Sequence, residues 1–142
     1  MNLYEDTMVR LALAYASGTA DREGAIIDMA EYEADELEVV VTFAAIAGSA
    51  DTAVKFEYGD EPALGDAEDI TGASIDVADD DDDQVFRLSV YRPTKRYIRV
   101  VIDKDASHAT AESAVYRIGN LHSRPATPAV TDEVTATRVV GV

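Results

Sequence analysis

Five consecutive carboxylates, Asp79 to Asp83, are the densest chemical feature of the chain. Calcium takes six to eight oxygen ligands, so such a run is a candidate calcium loop. An EF-hand loop, however, needs ligands at alternate positions, a glycine at its sixth position and an acidic twelfth. Counted from Asp79, the sixth residue is Gln84 and the twelfth is Val90. Adjacent carboxylates on an extended chain also point to opposite sides and repel. The run reads first as a solvated loop, with Asp79, Asp80, Asp81, Asp82 and Asp83 kept as a weak calcium candidate.

The remaining chemistry is sparse. His108 and His122 are the two histidines, and neither has HExxH or CxxH spacing. Neither a GxSxG elbow nor a GxxxxGK[ST] or GxGxxG loop occurs. There is no cysteine, hence no disulfide and no thiolate metal site. The expectation is a non-enzymatic chain without a catalytic residue or cofactor. A basic cluster, Arg92, Lys95, Arg96 and Arg99, has Tyr91 and Tyr97 interleaved. These six residues are a candidate interface. The plain role of the cations is pairing with the abundant carboxylates; the sharper one is docking against an acidic partner.

The elements that must position these groups have period two, the strand period. Val9, Leu11, Leu13 and Tyr15 share one face of 8–15, with Arg10 opposite. Ile27 and Met29 flank Asp28 in a short run. Leu37, Val39, Val41 and Phe43 alternate with Glu38, Val40 and Thr42. Val54, Phe56 and Tyr58 alternate with Lys55 and Glu57, and Ala114, Tyr116 and Ile118 with Val115 and Arg117. Gly18, Gly24, the Gly48–Asp51 stretch and the 59–69 segment punctuate them. Short strands at such spacing predict an all-β, antiparallel β-sandwich, jelly-roll-like, with at most a short helical turn near 29–36.

The segment Gln84–Asp103 has the cleanest pattern: Phe86, Leu88 and Val90, then Ile98, Val100 and Ile102. Read as a hairpin around Pro93, matched parity requires an odd loop and sets Tyr91 opposite Tyr97. Residues 1–123 are expected to form the sandwich. Residues 124–142, with Pro125, Pro128 and five valines, are expected to form an extended C-terminal arm or tail.

The 142 residues suit one domain, and 47% hydrophobic content supplies a core. The net charge is −16. Residues 1–83 hold 23 acidic and 3 basic residues; residues 84–142 hold 5 acidic and 9 basic. That balance disfavours direct contact with nucleic acid or an anionic membrane. No apolar run approaches the ~18 residues of a membrane span, and the first residues do not read as a signal peptide.

The run Val90-Tyr91-Arg92-Pro93-Thr94-Lys95-Arg96-Tyr97-Ile98-Arg99-Val100 resembles a "KRYxR" segment of small proteins encoded near the major capsid gene of tailed bacteriophages. Ser17–Ala20, Ile27-Asp28, the 37–43 strand, Val54–Glu57, 114–119 and Arg124-Pro125 fit in the same order. The acidic insert Asp79–Asp83 departs from the pattern. The resemblance, over roughly residues 17–128, is to head decoration, or cement, proteins. It implies a structural virion protein on the outer surface of the capsid, made in the host cytoplasm. The implied partners are the major capsid protein and further copies of the chain, as a homotrimer. Alternative expectations are a tail or head–tail connector protein, and a carbohydrate-binding β-sandwich module using Tyr91 and Tyr97.

Overall fold

A computed structural model describes residues 6–122. Nine strands are present among them. These are β1 (Met8–Gly18), β2 (Arg22–Glu23), β3 (Ile27–Asp28), β4 (Ala34–Ile46), β5 (Thr52–Gly59), β6 (Glu68–Val77), β7 (Val85–Tyr91), β8 (Tyr97–Lys104) and β9 (Thr110–Leu121). The described residues are nearly all β. The arm expected over 124–142 lies outside the described residues.

Strand pairing is nested: β5 with β6, β4 with β7, β2 and β3 with β8, and β1 with β9, all antiparallel. Successive pairs alternate between two sheets. Sheet A has the order β1-β9-β4-β7, and sheet B has β2-β8-β5-β6 with β3 also on β8. A long two-stranded ribbon, bent at the β5–β6 turn and wrapped on itself, produces this order. It is a jelly-roll sandwich.

The inward faces follow the alternation in the sequence. Leu37, Val39, Val41 and Phe43 of β4 and Tyr116 and Ile118 of β9 are fully buried. From sheet B, Val54, Phe56, Ile98, Val100 and Ile102 meet them. Phe43 packs edge-on against Phe86, with ring centroids 5.5 Å apart. Each such side chain contributes roughly 1.5–3 kcal/mol on burial.

The expected hairpin between 84 and 103 does not form. β7 pairs with β4, placing Tyr91 opposite Glu36. β8 pairs with β5 and β3, placing Tyr97 opposite Gly59 and Asp28. The side-chain parity is as the alternation predicts: Phe86, Leu88 and Val90 pack on the core, as do Ile98, Val100 and Ile102. Matched parity requires only a shared core. Two strands facing each other from opposite sheets satisfy it as well as a hairpin does. Arg92, at φ 50°, and Pro93 turn the chain from one sheet to the other.

Two other expectations change, and the short turn expected near 29–36 is found. Register shifts between Leu11 and Leu13, and between Leu13 and Ala16, break the alternation of β1. Leu13 is therefore buried while Val9, Leu11 and Tyr15 are exposed. β6 is a strand that its sequence did not announce; Gly72, at φ 83°, interrupts its pattern. Residues 29–33 form a turn, with the Asp28 carboxylate accepting from the N–H groups of Ala30 and Glu31.

Two polar links cross the core from β9. Glu112 and Lys104, both with fully buried side chains, form an ion pair at 2.9 Å. Lys104 Nζ also donates to the carbonyls of Gly18 and Thr110. Glu112 also accepts from Thr110 Oγ1 and Arg22 Nη1. Further along β9, the Tyr116 hydroxyl accepts from Val100 N–H at 2.9 Å and donates to Ala25 C=O at 2.7 Å. Burial pushes this phenol well above its ordinary pKa. The hydroxyl sits where the chain leaves the β8 ladder between β2 and β3, and it stands in for the missing strand. Gly24 admits it: a Cβ there would lie 2.8 Å from the hydroxyl and 2.6 Å from Val100 Cγ1.

Tyr116→Phe keeps the ring but leaves the Val100 N–H and the Ala25 carbonyl without this partner. Chemical denaturation is expected to show a loss of about 1–3 kcal/mol, the cost of stranded buried polar groups. Unchanged stability would contradict the bridging role.

Candidate interaction surface

The six candidate interface residues occupy the crossover from β7 to β8 and its flanks. They do not form one free cationic patch. Arg96 makes two 2.8 Å bonds to the carboxylate of Asp28 and stacks by Tyr97. This pairing holds the Asp28 carboxyl below its usual range and raises Arg96. Lys95 pairs with Glu68 at 2.8 Å and lies over the Tyr58 ring. Arg99, on the outer face of sheet B, pairs with Glu57 and with Glu23. Arg92 is 3.6 Å from Asp35 and lies by Tyr91. Each cation therefore has a carboxylate partner brought from a distant part of the sequence. Beside the crossover runs an open groove of about 440 Å³, lined by Met29, Ala34, Pro93, Arg96 and His122 among others.

The acidic run is used as a fastener. Asp79 accepts from Ser49 N–H at 2.6 Å, Asp82 from Ile46 N–H at 3.2 Å and Asp81 from Ala78 N–H at 2.9 Å. Two of these bonds tie the 78–83 loop to the end of β4 and the turn after it. The carboxylates aim at separate amides, and no group of three or more metal-binding side chains occurs among the described residues. His122 contacts Asp35 and His108 contacts Asp105, at 3.1 and 2.9 Å. Asp105 holds the 105–108 loop against Asp51. Backbone N–H groups of Asp51 and Ser107, then the His108 side chain, keep its carboxyl well below the usual range.

Exposed apolar groups are segregated. Val9, Leu11, Tyr15, Val85, Tyr91 and Val115 are the exposed large hydrophobic residues among those described, and all lie on sheet A. Leu11 pairs with Val115, and Val115 with Val40, so three apolar side chains run across β1, β9 and β4. The outer face of sheet B instead carries Arg99 with Glu23 and Glu57, and Lys55 with Asp69 and Asp103. The sequence reading passed over the sheet A face. Its signal was present, since Val40 and Val115 are apolar residues on the supposedly polar side of their strands.

No protein-family model and no curated protein matches the chain. Solved structures do. A protein of the Bacillus endospore appendages, a family of disulfide-linked pili, is similar at 14% identity and TM-score 0.51, over 82% of this chain and 89% of that one. The PBSX exported protein XepA is similar at 15% identity and TM-score 0.56, over all of this chain but 45% of XepA. The SPBc2 prophage-derived protein YomS is similar at 16% identity and TM-score 0.44, over 78% of this chain and 93% of that one. The first two likenesses establish a shared sandwich fold. The disulfides of the pili have no counterpart in these 142 residues, which lack cysteine.

Two measurements check this surface. Calcium in excess is expected to leave the melting temperature unchanged, because Asp79, Asp81 and Asp82 are engaged with separate amides; a rise would restore the calcium loop. Asp105→Asn is expected to lower the melting temperature at pH 7. A depressed folded-state pKa stabilises above the unfolded value, ~3.9, and the benefit fades as pH falls below it. The gap between wild type and variant should therefore close from about pH 4 downward. A gap that persists there would contradict the loop role.

Proposed function

We propose that the chain is a non-enzymatic structural protein of a tailed-bacteriophage particle, binding the outer surface of the major capsid protein and bracing the head. The observation that carries this reading is the segregation of the surface. Apolar side chains collect on sheet A, while carboxylates crowd the loops and the outer face of sheet B. A small sandwich divided in this way is suited to association, with one face for apolar contact and the rest for orientation by charge. Two further features support the reading. The ordered motifs from Ser17 to Arg124 resemble those of head decoration proteins, and the jelly roll is an architecture used in viral capsid domains.

On this reading the β7–β8 crossover meets the capsid. It joins the two sheets and carries Arg92, whose side chain is 68% exposed and lies 3.6 Å from Asp35. The attachment is by buried surface and by valency on a repetitive shell, without a chemical step. Co-sedimentation with shells of the major capsid protein of the same particle is expected to show saturable binding. Arg92→Glu, with its fold checked by circular dichroism because Asp35 loses its partner, is expected to weaken that binding at least tenfold, a typical effect of reversing a contact charge. Failure of the wild-type protein to bind shells would sink the proposal.

A further inference from the structure

We infer that the outer face of sheet A is a self-association face, on which a second copy of this chain packs to form a two-fold dimer. The inference does not depend on which particle the protein serves. It begins with charge. The whole chain carries −16, so two copies repel over most approaches. The outward positions of β9, β4 and β7 carry Arg117, Glu36, Glu38 and Arg87, two of each sign. Glu38 is bonded to Arg87 at 3.0 Å and to Arg117 at 3.2 Å, and Glu36 accepts from Asn120 at 2.6 Å. This face is neutral where the molecule is acidic. A cationic partner drawn by charge goes to the acidic loops instead. A like-charged copy is tolerated here.

The apolar content then supplies the attraction. Leu11, Val115 and Val40 form a row across three strands, with Val9 beside Leu11 and Val85 across the sheet. Val9 and Leu11 are each 45% exposed, Val115 40% and Val85 64%. Four strands span ~19 Å, and the residues Glu36–Thr42, paired on both sides, extend ~24 Å. Two stacked copies thus bury roughly 1,000 Å² in total, the lower bound for a specific interface. Both charge signs beside one apolar row make the face self-complementary. A two-fold axis presents the same patch on each side, whereas a three-fold axis needs two different patches. On this inference the oligomer is a two-fold dimer, where the resemblance implies a homotrimer.

The test is sedimentation equilibrium of the wild-type chain over a dilution series, beside the double variant Leu11→Glu/Val115→Glu. A wild-type dimer that added salt strengthens is expected, because salt screens repulsion between the acidic bodies and leaves apolar contact intact. The double variant is expected to be a monomer with an unchanged circular dichroism spectrum. A second measurement introduces no charge into the face. With no native cysteine, Leu11→Cys and Ser74→Cys each accept one spin label. Ser74 lies on the outer face of sheet B, opposite Lys55. The distance between copies is expected to be shorter for Leu11 than for Ser74. A wild-type monomer or trimer, a folded double variant that remains dimeric, or the reverse order of distances overturns the inference.

Discussion

Apolar contact between two sheets resists separation but hardly resists sliding, because it has no direction. In this sandwich the stagger is set by polar groups on β9. Glu112 and Tyr116 lie four residues apart and reach Lys104 and Val100, four residues apart on β8. Every donor of Lys104 Nζ is engaged, and both oxygens of Glu112 accept. A buried ion pair adds little net stability over a well-packed apolar pair, since desolvation offsets most of the attraction. Its effect is to exclude other offsets, because any slip would leave two charges buried and unpaired. Tyr116 has the same effect further along the strand, and Gly24 provides the room for it. The positions of the crossover, the acidic loop and the outer faces all follow from that fixed stagger.

The side-chain parity of the chain was legible and its partner choice was not. Parity is local: each of the runs 37–43, 54–58, 98–102 and 114–118 declares its inward face by its own alternation. Which strand lies beside which is a property of the nested ribbon, and nothing within 84–103 distinguishes a hairpin from a crossover. Bulges are equally hidden: in sequence Leu11 and Leu13 share a face, and the register shift between them separates the two. Buried charge was hidden for a similar reason. Lys104 and Glu112 look like ordinary surface residues until the pairing brings them together.

The candidate interface shows the same limit. Tyr91 to Arg99 stood out as basic and aromatic, but the carboxylates that hold it, Asp28, Asp35, Glu57 and Glu68, come from elsewhere in the chain. The acidic run Asp79–Asp83 drew attention as a cation site, and three of its carboxylates serve as acceptors for backbone amides. In both places an excess of one charge type on the page becomes a loop clamp in space. The less conspicuous valines at 40 and 115 are the residues that leave an apolar surface unmatched.

The nesting of the ribbon also sets an order in time. Leu11 pairs with Val115, 104 positions later, and each outer strand pair encloses the pair inside it. A ribosome adding ~5–20 residues per second needs on the order of 5–20 s to cover that distance. Among the described strands β1 is synthesised before the others, and β9, with which it pairs, is synthesised after them. The apolar side chains of β1 wait in the open while the inner β5–β6 and β4–β7 pairs have already been synthesised. The nesting thus makes β1–β9 the pair with the longest wait between the synthesis of its two strands, and the inner β5–β6 pair the one with the shortest.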